Sequence, residues 1–293
     1  MIDRSVRTVL DAATQQLTAA GVASPRFDAE ELLAFVVGAT RTRLFLHPPI
    51  DDVAADRYGA LINRRARRVP LQYLTGSAPF GPIDVAVGPG VFVPRPETEW
   101  LLEFAAENTP RGGVVLDLCT GSGAIALGIA AMRPDCVVHA VEIDASAWAW
   151  ASRNVAEHGS RIFLHRGDVT DPAVLRELDA SVDVVVSNPP YIPDDTNLEP
   201  EVARHDPTRA LFGGTDGTDV IAAMIPNIGR WLRPAGVVGI EHDDTNSEKC
   251  LTLLKQDGRF TGVSARTDLA GKPRFVVASK FDAQQVDREK GMQ

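Results

Sequence analysis

The sequence predicts an α/β fold with a mainly parallel sheet and an antiparallel last strand, preceded by a small helical domain. From residue 113 onward, short β-branched runs alternate with segments of helical periodicity, which favours a parallel sheet between helices. The last two apolar runs, Phe260–Ala265 and Phe275–Ala278, are joined by too few residues for a crossover helix, so they should pair antiparallel. Residues 3–69 instead show apolar side chains at helical spacing.

The N-terminal domain is expected to span residues 1–75. Its first helix ends at Gly21, and acidic residues in the first turn of its second helix complement the helix dipole. The domain contains no catalytic constellation, so substrate recognition or support is its expected role. Its predicted helices span residues 3–21, 27–38 and 51–69.

Glycine and proline punctuate the next stretch, and we predict a β-hairpin linker at residues 76–95. Its apolar pieces are Ile83–Val87 and Val91–Val93. A helix then opens with prolines and with carboxylates in its first turn, and capping is sufficient to explain these acids. Phe92 and Arg95, just ahead of this helix, are candidates for lining a substrate pocket.

The second domain is expected at residues 96–281, and residues 282–293 are expected to form a flexible tail. Its predicted strands span residues 113–118, 136–142, 161–166, 182–187 and 235–241, followed by the two closing runs. Its predicted helices span residues 122–132, 145–158, 216–233 and 246–257.

Composition narrows the class of protein. The chain has 293 residues, of which 44% are hydrophobic, enough for a substantial core. Its three cysteines are far apart and form no CxxC pair, so neither a disulfide framework nor a zinc ribbon is indicated. The segment Met1–Arg7 lacks the apolar stretch of a signal peptide, and no apolar run approaches the ~20 residues of a membrane helix. We therefore expect a cytoplasmic protein without a membrane partner.

The charge of the chain argues against a nucleic-acid partner. The formal net charge is −9, whereas broad nucleic-acid binding requires a basic footprint. Residues 1–80 nevertheless carry +2 and the remainder −11. The basic excess lies mainly in residues 64–68, and such a run fits either a solvated helix face or a docking patch.

The chain is organised around the corner that ends the apolar run Val182–Val186. This run predicts a buried strand, and it must stop at Pro189 and Pro190 because proline donates no backbone N–H. An amide or amino nitrogen that carries two hydrogens needs two acceptors. The Asn188 side-chain oxygen and the Pro189 carbonyl can supply them, and the ring of Tyr191 can pack over the planar group. We therefore interpret the corner as a functional site rather than an ordinary turn.

A second candidate site begins with the glycine-rich segment Val114–Gly123, which runs from the first strand of the second domain into a helix. Its spacing fits neither the dinucleotide GxGxxG pattern nor a Walker loop, so a diphosphate is not the expected ligand. Glu142 ends the second strand and could accept both hydroxyls of a ribose. Asp168 follows the third strand and could read an adenine amino group. Each acid alone would equally fit a helix start or a turn, but three strand ends in series indicate a nucleoside site.

These features resemble the class I S-adenosylmethionine-dependent methyltransferases, and within them the release-factor glutamine methyltransferases (the PrmC/HemK family). The resemblance covers nearly the whole chain and extends to Arg68–Gly76, Val93–Glu99 and Ala210–Gly217. It implies a Rossmann-like methyltransferase sheet and an N-terminal domain that engages the protein substrate. It also implies transfer of a methyl group from S-adenosyl-L-methionine to the glutamine N5 of the Gly-Gly-Gln motif in peptide chain release factors. The product would be S-adenosyl-L-homocysteine, no metal is implied, and we expect a monomer.

Together, the pattern and the resemblance define the candidate residues. The expected catalytic residues are Asn188, Pro189 and Tyr191, and the expected substrate-binding residues are Phe92, Arg95, Asn188, Pro189, Pro190 and Tyr191. The expected cofactor-binding residues are Cys119, Thr120, Gly121, Ser122, Gly123, Glu142, Asp168, Val169 and Asn188. Three of these depart from the family pattern: Cys119 replaces a glycine, Glu142 replaces a common aspartate, and Val169 stands at a position that is sometimes aromatic.

Other interpretations of the sequence are less well supported. An adenine-N6 DNA methyltransferase would use the same corner chemistry but needs a basic groove, and a non-catalytic S-adenosylmethionine-binding protein would not need the intact corner. A Rossmann dehydrogenase would need a different glycine fingerprint. The string Glu241-His242-Asp243-Asp244 suggests a metal site or a catalytic dyad, but adjacent strand residues point to opposite faces and cannot converge without a turn. His205 and Asp206 fit a structural turn that could shape the substrate entrance.

Overall fold

The computed structural model describes residues 5–159 and 161–282. The first two residues of the first predicted helix and residues 283–293 of the predicted tail lie outside this range. The chain divides into two compact units. Unit 1 runs to Ser77 and includes Leu198–His205, and unit 2 comprises Ala78–Asn197 and the chain from Asp206 onward.

The bounds of the elements are as follows. The helices are α1 Val6–Ala19, α2 Pro25–Val37, α3 Asp52–Ala66, α4 Leu71–Thr75, α5 Glu99–Asn108, α6 Ala124–Met132, α7 Ala145–His158, α8 Pro200–His205, α9 Asp219–Trp231 and α10 Ser247–Asp257. The strands are β1 Ser77–Phe80, β2 Ile83–Ala86, β3 Val114–Leu118, β4 Val137–Glu142, β5 Ile162–Arg166, β6 Val182–Ser187, β7 Leu232–Glu241, β8 Phe260–Thr267 and β9 Pro273–Lys280.

Unit 1 is a helical module around one apolar core, which α1, α2 and α3 build with buried leucines such as Leu10, Leu17 and Leu32. The third helix ends three residues earlier than predicted, because Arg68 adopts a left-handed conformation and Val69 precedes a proline. Three elements of this unit were not predicted: the short 3-10 helix Arg41–Leu46, α4 and α8.

A buried arginine connects the elements of unit 1. Arg65 is only 4% exposed, and its Nε donates to Asp28 Oδ2 at 2.6 Å. Its Nη2 donates to Glu201 Oε1 of α8 at 2.8 Å, and Arg68 Nε donates to the same oxygen at 2.8 Å. Within the basic run, Arg65 is therefore neither a solvated charge nor a free docking group.

Unit 2 begins with a β-hairpin formed by β1 and β2. The prediction that Val91–Val93 forms part of a hairpin was wrong, since these residues form no strand and the partner of β2 is Ser77–Phe80. The physical reason is a turn at residues 88–91. Gly90 has a positive φ of 95°, and Val91 N donates to Gly88 O.

A seven-stranded sheet in the order β5-β4-β3-β6-β7-β9-β8 forms the core of unit 2. The five strands from β5 to β7 are parallel, and β9 pairs antiparallel with both β7 and β8. This confirms the predicted mainly parallel sheet with an antiparallel last strand. The strand order changes direction between β3 and β6, and ligands of open α/β sheets bind at such a switch point, beyond the carboxyl ends of the strands.

Candidate active site

The carboxyl ends of five parallel strands form one rim of the sheet. Leu118 of β3 lies in register with Val141 of β4 and with Ser187 of β6, and Ser187 lies in register with Ile240 of β7. The strands therefore end level with one another. The residues that end or follow these strands are, in order across the sheet, Asp168, Glu142, Cys119, Asn188 and Glu241.

The loop after β3 is shaped by three left-handed residues at alternate positions. Cys119, Gly121 and Gly123 all have positive φ angles, of 58°, 58° and 83°. Thr120 N donates to Val141 O at 3.0 Å, which fixes the loop beside the end of β4. A Cβ atom on Gly121 would meet no atom within 4 Å, so this side of the loop is open to a ligand.

Asp117, which the sequence analysis did not single out, holds the start of this loop. Its Oδ2 accepts hydrogen bonds from Thr120 Oγ1 at 2.6 Å and from Ala126 N at 3.1 Å. The carboxyl is fully buried, and desolvation raises its pKa to about 7. Its Oδ1 is buried without a hydrogen-bond partner within the described part of the chain. The signal was present in the sequence, since Asp117 is the one acid in an otherwise apolar strand.

Glu142 joins the loop to the end of β4. Its Oε2 accepts the Gly121 N–H at 2.9 Å, and its Oε1 accepts the Asp144 N–H at 2.8 Å. Burial raises the pKa of this carboxyl, and the backbone hydrogen bonds oppose that shift. A carboxylate offers about four lone-pair sites, so it can still accept a hydrogen bond from a ligand hydroxyl besides its backbone donors.

The segment after β5 brings a third acid to the rim. Asp168 is exposed, and its Oδ1 accepts hydrogen bonds from Thr170 N at 2.9 Å and Thr170 Oγ1 at 2.7 Å. The neighbouring Val169 is buried, and its carbonyl accepts a hydrogen bond from Asn227 Nδ2 at 2.9 Å. The pKa of the Cys119 thiol is raised by burial and then by the charges of Glu142, Asp117 and Asp168, so these acids surround the loop.

These contacts fit a cationic nucleoside. Carboxylates accept hydrogen bonds from hydroxyl and amino groups and attract positive charge, whereas they would repel the phosphates of a dinucleotide. The open space beside Gly121 leaves room for a ligand at the rim, next to the Glu142 carboxylate. The residues of this site therefore suit a nucleoside that bears a sulfonium or ammonium charge.

Two buried side chains, Thr98 and Glu241, accept hydrogen bonds from the corner after β6. Asn188 Nδ2 donates to Thr98 Oγ1 at 3.0 Å, and the Tyr191 hydroxyl donates to Glu241 Oε1 at 2.8 Å. Thr98 is 3% and Glu241 is 1% exposed. The amide nitrogen of Asn188 is thus engaged within the protein and its Oδ1 is directed away from Thr98. Thr98 was not predicted to take part in the site, and Glu241 was predicted only as part of a possible metal site or catalytic dyad.

A glycine-rich turn, residues 213–217, packs directly against the backbone of the corner. A Cβ on Gly213 would fall 2.5 Å from Pro190 O. Ile192 pairs with Phe212 in an isolated parallel bridge, and Asn246 Nδ2 donates to Tyr191 O at 3.2 Å. The turn therefore fixes the path of the chain after the two prolines.

Phe92 and Arg95 form a cation–π pair in unit 2. The Arg95 guanidinium lies 4.9 Å from the centroid of the Phe92 ring, and its Nη2 donates to Asp206 Oδ2 at 3.0 Å. Asp206 is buried, whereas Arg95 is partly exposed. The aspartate thus aims a cationic group toward solvent next to an aromatic ring.

Within residues 5–159 and 161–282, no cluster of three or more His, Cys, Asp or Glu side chains is arranged to hold a metal ion. His242 is buried, and its Nδ1 donates a hydrogen bond to Asp243 O at 2.9 Å. Glu241 Oε1 instead accepts a hydrogen bond from the Tyr191 hydroxyl. None of the helices in the described part of the chain is both long enough and apolar enough to cross a membrane.

Comparisons with known proteins cover both units. The family model described as PrmC N-terminal domain matches residues 8–76, and the one described as Methyltransferase small domain matches residues 84–205. A release factor glutamine methyltransferase from Mycolicibacterium smegmatis is 51% identical over 277 residues, which span 94% of this chain and 98% of that protein. The protein of the same name from Mycobacterium tuberculosis strain H37Rv is 50% identical over 282 residues, covering 94% and 92% of the two chains.

Among solved structures, a methyltransferase from Pyrococcus furiosus matches with a TM-score of 0.53 at 21% identity, covering 75% of this chain and 99% of that one. At this level of identity the likeness concerns the fold. It agrees with the parallel sheet and its antiparallel last strand.

Proposed function

The chain belongs to the release factor glutamine methyltransferase family, and we propose that its Asn188–Tyr191 corner is where the side-chain amide of a release-factor glutamine receives a methyl group. The enzyme is a protein-(glutamine-N5) methyltransferase. The observation that carries the site assignment is the polarity of Asn188. Its Nδ2 is bound to Thr98, so its Oδ1 is available to a substrate amide.

We propose that the rim of strand ends binds S-adenosylmethionine, which when bound supplies a methyl group activated by a sulfonium charge. Glu142 would accept the ribose hydroxyls, and Asp168 and Val169 would flank the adenine. Cys119, Thr120, Gly121, Ser122 and Gly123 would line the methionine side of the loop. The acceptor chemistry of the rim and the open space at Gly121 support this assignment.

The corner residues would act by orientation and charge stabilisation. A carboxamide nitrogen is a poor nucleophile because its lone pair is delocalised into the carbonyl group. Asn188 Oδ1 and the Pro189 carbonyl would accept its two hydrogens, aim it, and stabilise the positive charge that grows on it. Holding two groups in a reactive geometry can contribute ~7–11 kcal/mol. The nitrogen becomes acidic once it is methylated, so the corner needs no base beforehand.

The role that we propose for Tyr191 differs from the catalytic role expected from the sequence. Its hydroxyl is bound to the buried Glu241, and its backbone carbonyl accepts from Asn246. These contacts support a role in anchoring the corner, with the ring bordering the site. Pro190 would set the bend, since its carbonyl packs against Gly213.

Outside the corner, we propose that Phe92 and Arg95 contact the backbone of the Gly-Gly-Gln loop. A guanidinium can donate to peptide carbonyls, and Asp206 keeps it extended beside the ring. Unit 1 would bind another surface of the release factor. We further propose that the enzyme acts as a monomer in the cytoplasm, without contact to nucleic acid.

The test is incubation of the protein with methyl-labelled S-adenosylmethionine and intact release factor, followed by mass spectrometry of the modified peptide. We expect one methyl group on the glutamine of Gly-Gly-Gln and none on a release factor whose glutamine is replaced by alanine. Label on DNA in a parallel reaction, with none on the release factor, would instead support an adenine methyltransferase.

A further inference from the structure

One face of α7 binds the backbone of β2 and of the segment that follows it. The face carries Trp150, Asn154 and His158, which are spaced four residues apart along the helix. Trp150 Nε1 donates to Pro89 O at 3.3 Å, and His158 Nε2 donates to Asp84 O at 2.8 Å. Between these two contacts, Asn154 binds the last residue of β2. The path of the chain out of β2 is therefore fixed by α7.

Asn154 is the completely buried member of this face, with 0% exposure. Its Oδ1 accepts the Ala86 N–H at 2.9 Å, and its Nδ2 donates to Ala86 O at 3.0 Å. The second hydrogen of Nδ2 goes to Ser122 O at 2.9 Å. A backbone N–H can only donate and a carbonyl can only accept, so these three partners fix the orientation of the amide.

The third of these hydrogen bonds reaches the loop after β3, for which we propose contact with S-adenosylmethionine. Ser122 is 3% exposed, and the N–H of the preceding Gly121 is held by Glu142. A Cβ atom on Gly123 would lie 3.6 Å from Ala151 Cβ, so the loop also packs closely against α7. The position of the cofactor loop therefore depends on α7 as well as on Glu142.

The other two hydrogen bonds hold the stretch that leads to Phe92, a proposed substrate contact. A Cβ atom on Gly88, between Ala86 and Phe92, would fall 2.6 Å from Trp150 Cζ2. This stretch therefore already lies against α7 and has no room to move closer. The Phe92 ring in turn lies 4.9 Å from the Arg95 guanidinium. A shift of Ala86 would thus be passed on to the pair that we assign to the Gly-Gly-Gln loop.

We propose that Asn154 is a positioning residue that holds the cofactor loop in a fixed relation to the segment carrying Phe92 and Arg95. This inference rests on the proposed function of those two parts of the site. A role in packing α7 alone explains the contacts less well. Burying an amide costs desolvation that an apolar side chain would avoid, and the hydrogen bonds of this amide go to the two segments that flank the site.

The test measures two constants in variants of the full chain, the Kd for S-adenosylmethionine by calorimetry and the KM for intact release factor. Each is measured well below the melting temperature of the variant, so that loss of folded protein does not contribute. Asn154→Ala removes the hydrogen bonds to both segments. Trp150→Phe removes only the one to Pro89 O, on the substrate side. His158→Ala is the matched control, because exposed His158 binds β2 from the same helix face at Asp84 O.

We expect Asn154→Ala to raise the Kd and the KM each by roughly 5- to 10-fold, as for the loss of one or two neutral hydrogen bonds at each segment. Trp150→Phe should raise the KM about 5-fold and leave the Kd within about 2-fold. His158→Ala should leave both constants within about 2-fold, since an exposed hydrogen bond is readily replaced by water.

Hydrogen exchange of the wild-type protein tests the same link without any variant. The Ala86 N–H is bonded to Asn154, which also binds the cofactor loop. Binding of S-adenosylhomocysteine alone should therefore slow exchange in the peptide that covers residues 83–88, by about 3-fold or more. Unchanged exchange there would contradict the proposal, even if Asn154→Ala failed to fold.

The pattern of the two constants separates positioning from packing. If Asn154→Ala lowers only the melting temperature, or raises one constant and not the other, Asn154 does not link the two segments and the inference is wrong. Methylation of the release factor by the wild type is the reference for the proposed function. If the wild type transfers no methyl group, the proposed function fails and this inference with it. If it does so and both constants are unchanged in Asn154→Ala, this inference alone fails.

Discussion

Gly217 lies so close to Tyr191 that a Cβ atom on Gly217 would fall 2.0 Å from the Tyr191 carbonyl oxygen. Gly217 also has a positive φ of 75°. The glycine turn after β6 therefore requires glycine here for two independent reasons, space and backbone conformation. Because Tyr191 belongs to the corner, any displacement of its carbonyl is passed on to Pro189 and Asn188.

We predict that Gly217→Ala lowers release-factor methylation by more than about 10-fold, because the corner must move to admit the new methyl group. The matched control is Gly258→Ala, since Gly258 has a φ of 77° but a Cβ there would meet no atom within 4 Å. Both substitutions carry the left-handed strain of roughly 1–2 kcal/mol, which thermal melting would report. Equal activities of the two variants would show that the close contact is unimportant for the reaction.

The second prediction concerns the reacting corner. Asn188→Ala should leave the Kd for S-adenosylmethionine within about 3-fold and lower turnover by at least ~10²-fold, by analogy with the loss of one oriented contact to developing charge. Equilibrium binding and single-turnover methylation measure the two effects separately. Asn108→Ala is the control, because Asn108 is an exposed residue at the end of α5 whose Nδ2 donates a hydrogen bond to Phe104 O in its own helix. Turnover near wild type would rule out the assignment.

Much of the fold follows from local sequence patterns. The strand β6 and the helix α7 have the predicted bounds, because β-branched runs and capped helical periods are encoded over a few neighbouring residues. The hairpin lies within the predicted stretch, but Val91–Val93 was wrongly assigned to it because Val91 and Val93 are buried like strand residues and yet lie outside any strand. Such burial without strand pairing leaves no distinct pattern in the sequence.

The candidate site was predictable only where its residues follow strands. Asp168, Glu142, Cys119 and Asn188 end or follow parallel strands, and parallel strands bring such positions to one rim. Thr98 was not found, since it reaches Asn188 across 90 residues of sequence. Contacts of this kind depend on tertiary packing and not on periodicity.

The third prediction is a pH dependence that comes from Asp117. Burial raises its pKa from the ordinary value of 3.8 to about 7. Between these values the unfolded chain releases its proton while the folded protein keeps it, so stability should fall as pH rises from about 4 to about 7. In Asp117→Asn this contribution is absent. The unfolding free energy of wild type minus that of Asp117→Asn should therefore fall as pH rises from about 4 to about 7, by at most about 1.4 kcal/mol per pH unit.

Denaturant unfolding of the cofactor-free protein at several pH values would measure this difference. Glu241, whose pKa is also raised to about 7, titrates in both proteins, and its contribution cancels in the comparison. If the unfolding free energies of wild type and Asp117→Asn changed equally with pH, the prediction would be contradicted.

The last prediction concerns the buried arginine of unit 1. Arg65 pairs with Asp28, and both side chains are buried, so removing the guanidinium leaves an uncompensated carboxylate in the core. Burial already raises the pKa of Asp28, and the hydrogen bond and the charge of Arg65 oppose that shift. Breaking a buried ion pair on one side typically costs about 3–5 kcal/mol. We therefore expect Arg65→Ala to destabilise unit 1 by an amount in this range.

The matched control is Arg67→Ala, two residues along the chain, because Arg67 is exposed and its removal uncovers no buried charge. Limited proteolysis and hydrogen exchange of α1–α3 would report the stability of unit 1 separately from the sheet. In the double variant Asp28→Asn, Arg65→Met both charges are gone, and most of the lost stability should return, since no unpaired charge is left buried. If Arg65→Ala and Arg67→Ala showed equal protection of α1–α3 from proteolysis and hydrogen exchange, the ion pair between Arg65 and Asp28 would not stabilise the helical module.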